Sequence, residues 1–355
     1  MALIRFKCTD FRCIEKAELE LDPAFNLIHG RNASGKTSLL EAMAYLGRGR
    51  SFRGSTPAEL VRHGQASFLL NGVVRRDGSE LRLGVQNGAG GLEVSIGGEK
   101  PQGAAGLAEA LPLQIIDPDV HNLVAGGPEE RRRYLDWVTF HVEQPYLEAW
   151  RRYRRALKQR NAALRVGATR DALQSWNAEL AETGEAVNAS REATLDIVRP
   201  AIVETAEAML GSTVQVSYQR GWSSDKTLAD ALRDGLERDR QLGSSQIGPH
   251  RADLRLEYDA QRARRRVSRG QQKLLAGAMI VAAVEVVQAA LERPLTLLLD
   301  DPAAELDSDA LARLMAEVVA LGCQVIATAL DPERPLFPNP PRLFHVEHGA
   351  VGALD

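Results

Sequence analysis

The sequence predicts an α/β fold, mixed sheets with helices, interrupted by an inserted and mostly helical arm. Three observations carry this. An apolar run, "FNLIH" at 25–29, leads into the glycine-bearing "GRNASGKTS" at 30–38. A second apolar run, "LTLLLDD" at 295–301, ends in two acids. Between Pro128 and Pro249 only Pro145 and Pro200 interrupt a chain rich in Ala, Leu, Glu and Arg.

Taken in order, residues 3–8 alternate, with Ile4, Phe6 and Cys8 on one face and Arg5 and Lys7 on the other, and "AELELD" at 17–22 repeats the alternation. Both predict half-buried antiparallel strands. From Ser67 to Ile96 short apolar runs are separated by "DG" at 77, "NG" at 87 and a glycine pair at 90, the signals of a hairpin meander. The arm is expected over 125–244, between a head part at 1–124 and a second head part at 245–355. Within the arm "TVQVSYQR", Thr213 to Arg220, alternates like a strand, so an exit near residue 210 also stands. From Gly248 onward strand and helix patterns alternate again.

The 355 residues, 44% hydrophobic and 26% charged, indicate a soluble globular protein of two or three domains. Forty-four Lys and Arg against 47 Asp and Glu leave a net charge of −3, so a nucleic-acid site must be a local patch rather than a global field. No signal-like N-terminus and no stretch of about 18 apolar residues occur, and the expectation is a cytoplasmic protein with no membrane partner. Cys8, Cys13 and Cys323 form no CxxC pair and are read as packing residues.

Gly30, Gly35, Lys36 and Thr37 match G-x-x-x-x-G-K-[ST] after a strand. Glycines let the backbone wrap a phosphate, so that amides of Gly30, Arg31, Asn32, Ala33, Ser34, Gly35, Lys36, Thr37 and Ser38 and the positive end of the following helix face the anion. Lys36 is expected on the β and γ phosphates and the Thr37 hydroxyl on Mg²⁺. The bland alternative is a glycine-rich turn. Asp300 ends a strand whose carboxyl end is where ligands bind, and is expected to hold Mg²⁺ through water, with Asp301 placed as general base. "SRGQQK", 268–273, opens a long, nearly all-apolar helix. Its hydroxyl, amides and dipole make a second phosphate-binding edge, which is economical if it serves the nucleotide of another identical subunit. A plain capped helix is the alternative.

Read together, "GRNASGKTSLLEA", "GRGRSFR" at 47–53, "GPEERRRYLDW" at 127–137, "GPHRADL" at 248–254, "SRGQQK" and "DDPAAELD" at 300–307 resemble the ABC-type P-loop ATPase heads of the SMC class, and within it the RecF family of bacterial recombination mediators. The resemblance spans nearly the whole chain. It implies ATP and Mg²⁺ as cofactors, Lys36 and Thr37 as the Walker A pair, Asp300 and Asp301 as Walker B, Ser268, Gly270 and Gln271 as the signature, and Glu305, Leu306 and Asp307 as the D-loop. It further implies an ATP-dependent homodimer that binds double-stranded, gapped or junction DNA, works with partners of the RecO and RecR type, and helps load RecA recombinase. Two departures bear on rate: Asp301 stands where many relatives carry Glu, and "QVIATAL" offers Thr328 where they carry His. Both suggest slow hydrolysis. Gln114 is a candidate Q-loop glutamine or a mid-strand residue.

Candidate DNA contacts are Arg151, Arg155 and Lys158 at helical spacing, with Arg154 and Arg165 near the same side, and "RARRRVSR" at 262–269. A solvated helix face is the competing reading of the first cluster, and contact with a partner's nucleotide that of the second. Arg131, Arg132 and Arg133 follow Glu129 and Glu130, so local pairing competes with DNA there. His250 and Arg251 carry no assigned chemistry. A transport-type ABC ATPase lacks an encoded coupling partner, and a small-molecule P-loop kinase leaves "SRGQQK" and "AELD" without a task.

Overall fold

The computed structural model describes residues 1–355 except 102, 259–260, 263–266, 305, 333–335 and 355, with backbone alone for 261–262 and 353–354. The chain forms two compact units, Met1–Val120 with Glu292–Asp355, and His121–Leu291.

The first unit contains β1 (Ala2–Phe11), β2 (Ile14–Glu20), β3 (Phe25–His29), α1 (Lys36–Arg48), α2 (Pro57–Leu60), β4 (Ser67–Arg76), β5 (Ser79–Gly88), β6 (Gly91–Ile96), α3 (Ala105–Ala110) and β7 (Leu113–Ile116). From the returning chain come β11 (Thr296–Leu299), α11 (Ser308–Ala320), β12 (Gln324–Ala329), β13 (Arg342–Glu347) and β14 (Ala350–Leu354). An antiparallel sheet runs β2-β1-β4-β5-β6. From Arg5 onward the alternation in β1 does what it implies, with Phe6 and Cys8 buried, Arg5 and Lys7 exposed, and Lys7 paired with Glu18 across the strand at 2.7 Å. Ile4, expected on the buried face, is only half-buried, beside a register shift between Leu3 and Arg5 where Leu3 is the core residue. Asp77 and Gly78, both at positive φ, turn β4 into β5. "NG" at 87, expected as a turn, lies inside β5, where buried Asn87 donates to the Tyr45 hydroxyl at 2.6 Å.

The second sheet has the order β14-β13-β3-β12-β11-β7 and is parallel apart from β14. β11, Thr296 followed by three leucines and buried throughout, lies between β12 and β7 as a central strand must. One core joins the sheets around α1: Phe6, Phe11 and Phe68 from the first meet Ile28, Leu298, Ile326 and Phe344 from the second. Buried Gln324 fastens them, accepting from the Leu3 amide and donating to the carbonyls of Leu3 and Asp22. Its Oε1 also accepts from the Thr296 hydroxyl at 3.1 Å, so the amide is fully used, which makes a buried polar side chain affordable.

The second unit holds α4 (Asn122–Ala125), α5 (Pro128–Val142), α6 (Tyr146–Arg165), α7 (Arg170–Leu210), β8 (Val214–Gln219), α8 (Leu228–Asp234), α9 (Leu236–Leu242), a short 3-10 turn (Pro249–Arg251), β9 (Asp253–Tyr258), β10 (Gln261–Arg262) and α10 (Arg269–Leu291). β8 pairs antiparallel with β9, so the strand read at 213–220 is real. The unit boundaries differ from those expected: 245–291 packs with the helices rather than with the second head part. The cause is α10, whose surface is apolar all round and packs on α7 and α5. By length and composition α10 could cross a membrane, yet Lys273 to Val284 are buried inside the unit, as in a core helix.

Candidate active site

The strand β3 delivers the chain into the loop at Gly30, which sits at φ 154°. A Cβ there would lie 2.2 Å from the Val346 carbonyl oxygen of β13, so only glycine lets the loop pass this close. Gly35, at φ 116°, is the residue from which α1 begins. The loop is closed by Ser34 N–H to the Arg31 carbonyl at 3.2 Å and pinned to the β13–β14 turn by Gly349 N–H to the Ser34 carbonyl at 2.8 Å. Lys36, 8% exposed, folds back so that Nζ donates to the carbonyls of Gly30 at 2.8 Å and Arg31 at 2.9 Å. Burial draws its ammonium below the usual lysine range, against the pull of Asp301 and Asp300. The Ser34 hydroxyl is buried and without a partner. A cradle too tight for a Cβ, a buried ammonium and an orphaned hydroxyl are the features an anionic polyphosphate satisfies.

Two carboxylates arrive from the central strand. Asp300 Oδ1 accepts from Thr37 Oγ1 at 3.0 Å and from Thr328 Oγ1 at 2.8 Å, while its amide donates to the Ile116 carbonyl at 2.9 Å. Burial raises the Asp300 carboxyl above the ordinary aspartate range; the hydrogen bonds from Thr328 and Thr37 oppose this, Asp301 adds to it and Arg53 opposes it. Asp301 takes the left-handed conformation, φ 46°, with its amide donating to Thr328 Oγ1 at 2.8 Å. Thr37 and Asp300, 263 positions apart, thus present hard oxygens side by side, a donor set suited to Mg²⁺.

Three residues near the acids escaped the sequence reading. Thr328, noted there only as a missing imidazole, is the side chain that holds both acids. Arg53, exposed in the "SFR" segment, lies near enough to act on Asp300. Its segment is anchored by Arg12, which pairs with buried Glu41 and donates to Ser55 at 2.7 Å. Asp117 directly follows β7, beside Asp300, and burial, with Asp119 and Asp300 adding, pushes its carboxyl up to about 6. Gln114 resolves as mid-strand: it is buried in β7 and its Oε1 accepts from Arg48 at 2.8 Å.

Ser268, Gly270 and Gln271 stand at the start of α10 in the second unit. Ser268 and Gln271 form a reciprocal capping box, each side chain accepting the other's amide, at 3.3 and 3.0 Å. A Cβ on Gly270 would meet nothing within 4 Å. Of the D-loop residues, Asp307 caps α11 by accepting from the Ala310 amide at 2.8 Å, and Glu305 lies outside the described residues. So do Arg264, Arg265 and Arg266 of the second basic cluster.

The motifs without chemistry prove to hold one another. Arg131 forms a two-bond pair with Asp253 and donates to the carbonyls of Leu123, Val124 and Gly126, while Arg132 donates to the Ala252 carbonyl. Arg133 pairs with Glu129 and Glu130, so this triplet is committed locally. His250 Nε2 meets the Ser245 carbonyl at 2.9 Å, which can only accept, so Nε2 carries the proton and Nδ1 accepts from the Tyr153 hydroxyl at 2.5 Å. Burial pulls this imidazole down to about 4, with Arg251 and Arg132 adding and the Ser245 contact opposing. On α6, Arg151, Arg155 and Lys158 are exposed, Arg154 lies over Trp150 at 5.0 Å, and Arg152 is tied to Glu179 and Glu182. Arg165 is exposed, and Arg160 of the same run is wholly buried against Asp239.

Comparison with known proteins identifies the family and the fold. The RecF/RecN/SMC N terminal domain family matches residues 2–335. The DNA replication and repair protein RecF of Pseudomonas paraeruginosa is 38% identical over 364 residues, covering 99% of this chain and 97% of that one. That of Azotobacter vinelandii is 40% identical over 366 residues, covering 99% and 98%. A solved structure of the recombination mediator protein RecF with ATP, in the RecFOR pathway, superposes with a TM-score of 0.91 at 25% identity over 100% of this chain and 98% of that one. An Smc head domain with a coiled coil and joint from Pyrococcus yayanosii shares the fold, with a TM-score of 0.61 at 13% identity and coverage of 100% and 97%. A family match over most of the length and relatives of this identity from end to end establish that the chain belongs to the RecF family of ABC-type ATPases.

Proposed function

We propose that the protein is a nucleotide-gated DNA-binding repair factor: it binds ATP and Mg²⁺ at the Gly30–Ser38 loop, dimerises around the nucleotide, engages double-stranded or gapped DNA, and assists loading of RecA recombinase with RecO- and RecR-type partners in the cytoplasm. The observation that carries it is the meeting of Thr37, Asp300 and buried Lys36 at one glycine cradle.

Lys36 exchanges its two loop carbonyls for the β and γ phosphates, which removes the cost of holding an ammonium against neutral oxygens. Thr37 and Asp300 hold the cation, which when bound neutralises charge building on the transferred phosphate. Asp301 orients and deprotonates the attacking water. A one-methylene-shorter base, fixed by its amide to Thr328, favours slow turnover, the property of a switch. Ser268, Gly270 and Gln271 serve the nucleotide of a second copy, so nucleotide and dimer stabilise each other by linkage. Hydrolysis releases the pair.

Arg151, Arg155 and Lys158 on the open face of α6 suit DNA phosphates, and Arg154 and Arg165 extend that face. The test is binding to gapped duplex DNA across a salt series with ATP, with ADP and without nucleotide. Tight binding with ATP alone is expected, and replacing Arg151, Arg155 and Lys158 by Glu should flatten the salt dependence by about 0.9 log unit per lost contact. Indifference to both DNA and nucleotide would refute the reading.

A further inference from the structure

One titratable cluster beside the cradle has no task in the scheme above. His29, the last residue of β3, lies in parallel register with His345 of β13, and their rings are 4.9 Å apart between centroids. His29 is 7% exposed, and its Nε2 is buried without a hydrogen-bond partner. A buried, unpartnered imidazole nitrogen is costly unless some state of the protein uses it.

Its neighbours define which state that is. His29 directly precedes Gly30, whose carbonyl receives the Lys36 ammonium. The charged or titratable groups acting on it are His345 from β13, Asp331 following β12 and Lys36 from α1, and Glu347 stands 4.0 Å from the Nε2 of His345. Burial, the second ring and the ammonium all oppose a proton on His29, and Asp331 favours one. Occupation of the cradle changes this balance in one direction. A nucleoside di- or triphosphate brings several negative charges to Lys36 and Gly30, so the ammonium's share of what opposes the proton, smaller than that of burial, is offset and negative charge is added beside the ring.

We propose that His29, beside the His345 ring, takes up a proton when the phosphate loop binds a nucleoside polyphosphate, so that nucleotide affinity rises as pH falls. The inference rests on the reading of this loop as a nucleotide site. Because binding raises the proton affinity of His29, the gain is fully present below its midpoint in the free protein and disappears as pH rises through that of the complex. Between the two, affinity changes by at most tenfold per pH unit, on the order set by one linked proton.

The experiment is calorimetric titration of the full chain with ADP and Mg²⁺, from pH 5.5 to 7.5, in buffers of differing ionisation enthalpy, for the parent, His29→Gln and His345→Gln. The nucleotide's own titration is common to all three and cancels. The parent should take up more protons per bound ADP than His29→Gln, with affinity rising severalfold more steeply on acidification. His345→Gln, lacking the repelling ring, should take up its proton at higher pH. Equal proton counts in the parent and His29→Gln, or an unmoved profile in His345→Gln, overturn the proposal while leaving the nucleotide site intact. A parent that binds no ADP overturns the nucleotide reading itself.

Discussion

Replacing Thr328 by Val keeps the side chain's shape and removes one oxygen that makes two bonds. Its hydroxyl, wholly buried, donates to Asp300 Oδ1 at 2.8 Å and accepts the Asp301 amide at 2.8 Å. Losing a bond to a charged acceptor costs about 1.5–3 kcal/mol and stranding the amide about 1–3 kcal/mol, while the extra buried methyl returns about 1 kcal/mol. The net destabilisation is about 1.5–5 kcal/mol, read by urea denaturation. A second signature separates this from a packing defect. The Asp300 carboxyl already titrates high because it is buried, and loses one of the two donors that pull it down. More of it is then protonated as pH falls, so Mg²⁺-dependent nucleotide binding should weaken more at pH 6 than at pH 8. Thr328→Ser, which keeps the hydroxyl, should recover the pH profile. If Thr328→Val matches the parent in both stability and pH profile, the hydroxyl does not hold the acids and the argument fails.

Three further outcomes follow from the same geometry. Gly30→Ala places a Cβ 2.2 Å from the Val346 carbonyl, so the loop must leave β13 and nucleotide binding should fall at least a hundredfold in a filter assay. Breaking the wholly buried Arg160–Asp239 pair with Asp239→Ala leaves a guanidinium without its counter-charge and should cost about 3–5 kcal/mol in thermal or urea unfolding, more than Glu179→Ala on the exposed Arg152 pair, at about 0–1 kcal/mol. His250 must stay neutral in the fold, with its imidazole pulled down to about 4 from an unfolded value near 6.5. Stability is therefore complete above about pH 6.5 and declines as pH falls toward 4, by roughly 3 kcal/mol in total; His250→Gln should remove most of that slope in urea titrations at pH 7 and pH 4.5.

The sequence by itself determined the local chemistry and its order along the chain. Gly30, Gly35, Lys36 and Thr37 are spaced for a phosphate loop because backbone conformation and helix start are short-range properties, and the apolar run before Asp300 is legible because a strand covered on both faces can contain little else. The alternation in β1 and the proline-poor middle were legible for the same reason: period and propensity are written residue by residue. What pairs with what was decided only in three dimensions. Thr328 holds acids 27 and 28 positions away, Gln324 bridges to Leu3 across 321 positions, and Arg131 meets Asp253 across 122. No pattern of spacing encodes such meetings; they follow from sheet order, in which β12 lies between β3 and β11. The tertiary structure likewise sorted look-alikes. Asn87–Gly88 reads as a turn and is strand, Gln114 reads equally as a loop glutamine or a mid-strand residue and is strand, tied to Arg48, and Arg160 sits in a basic run yet is core. In each case a side chain's surroundings, not its identity or its neighbours in sequence, fix whether its polar atoms face water, a ligand or another part of the chain.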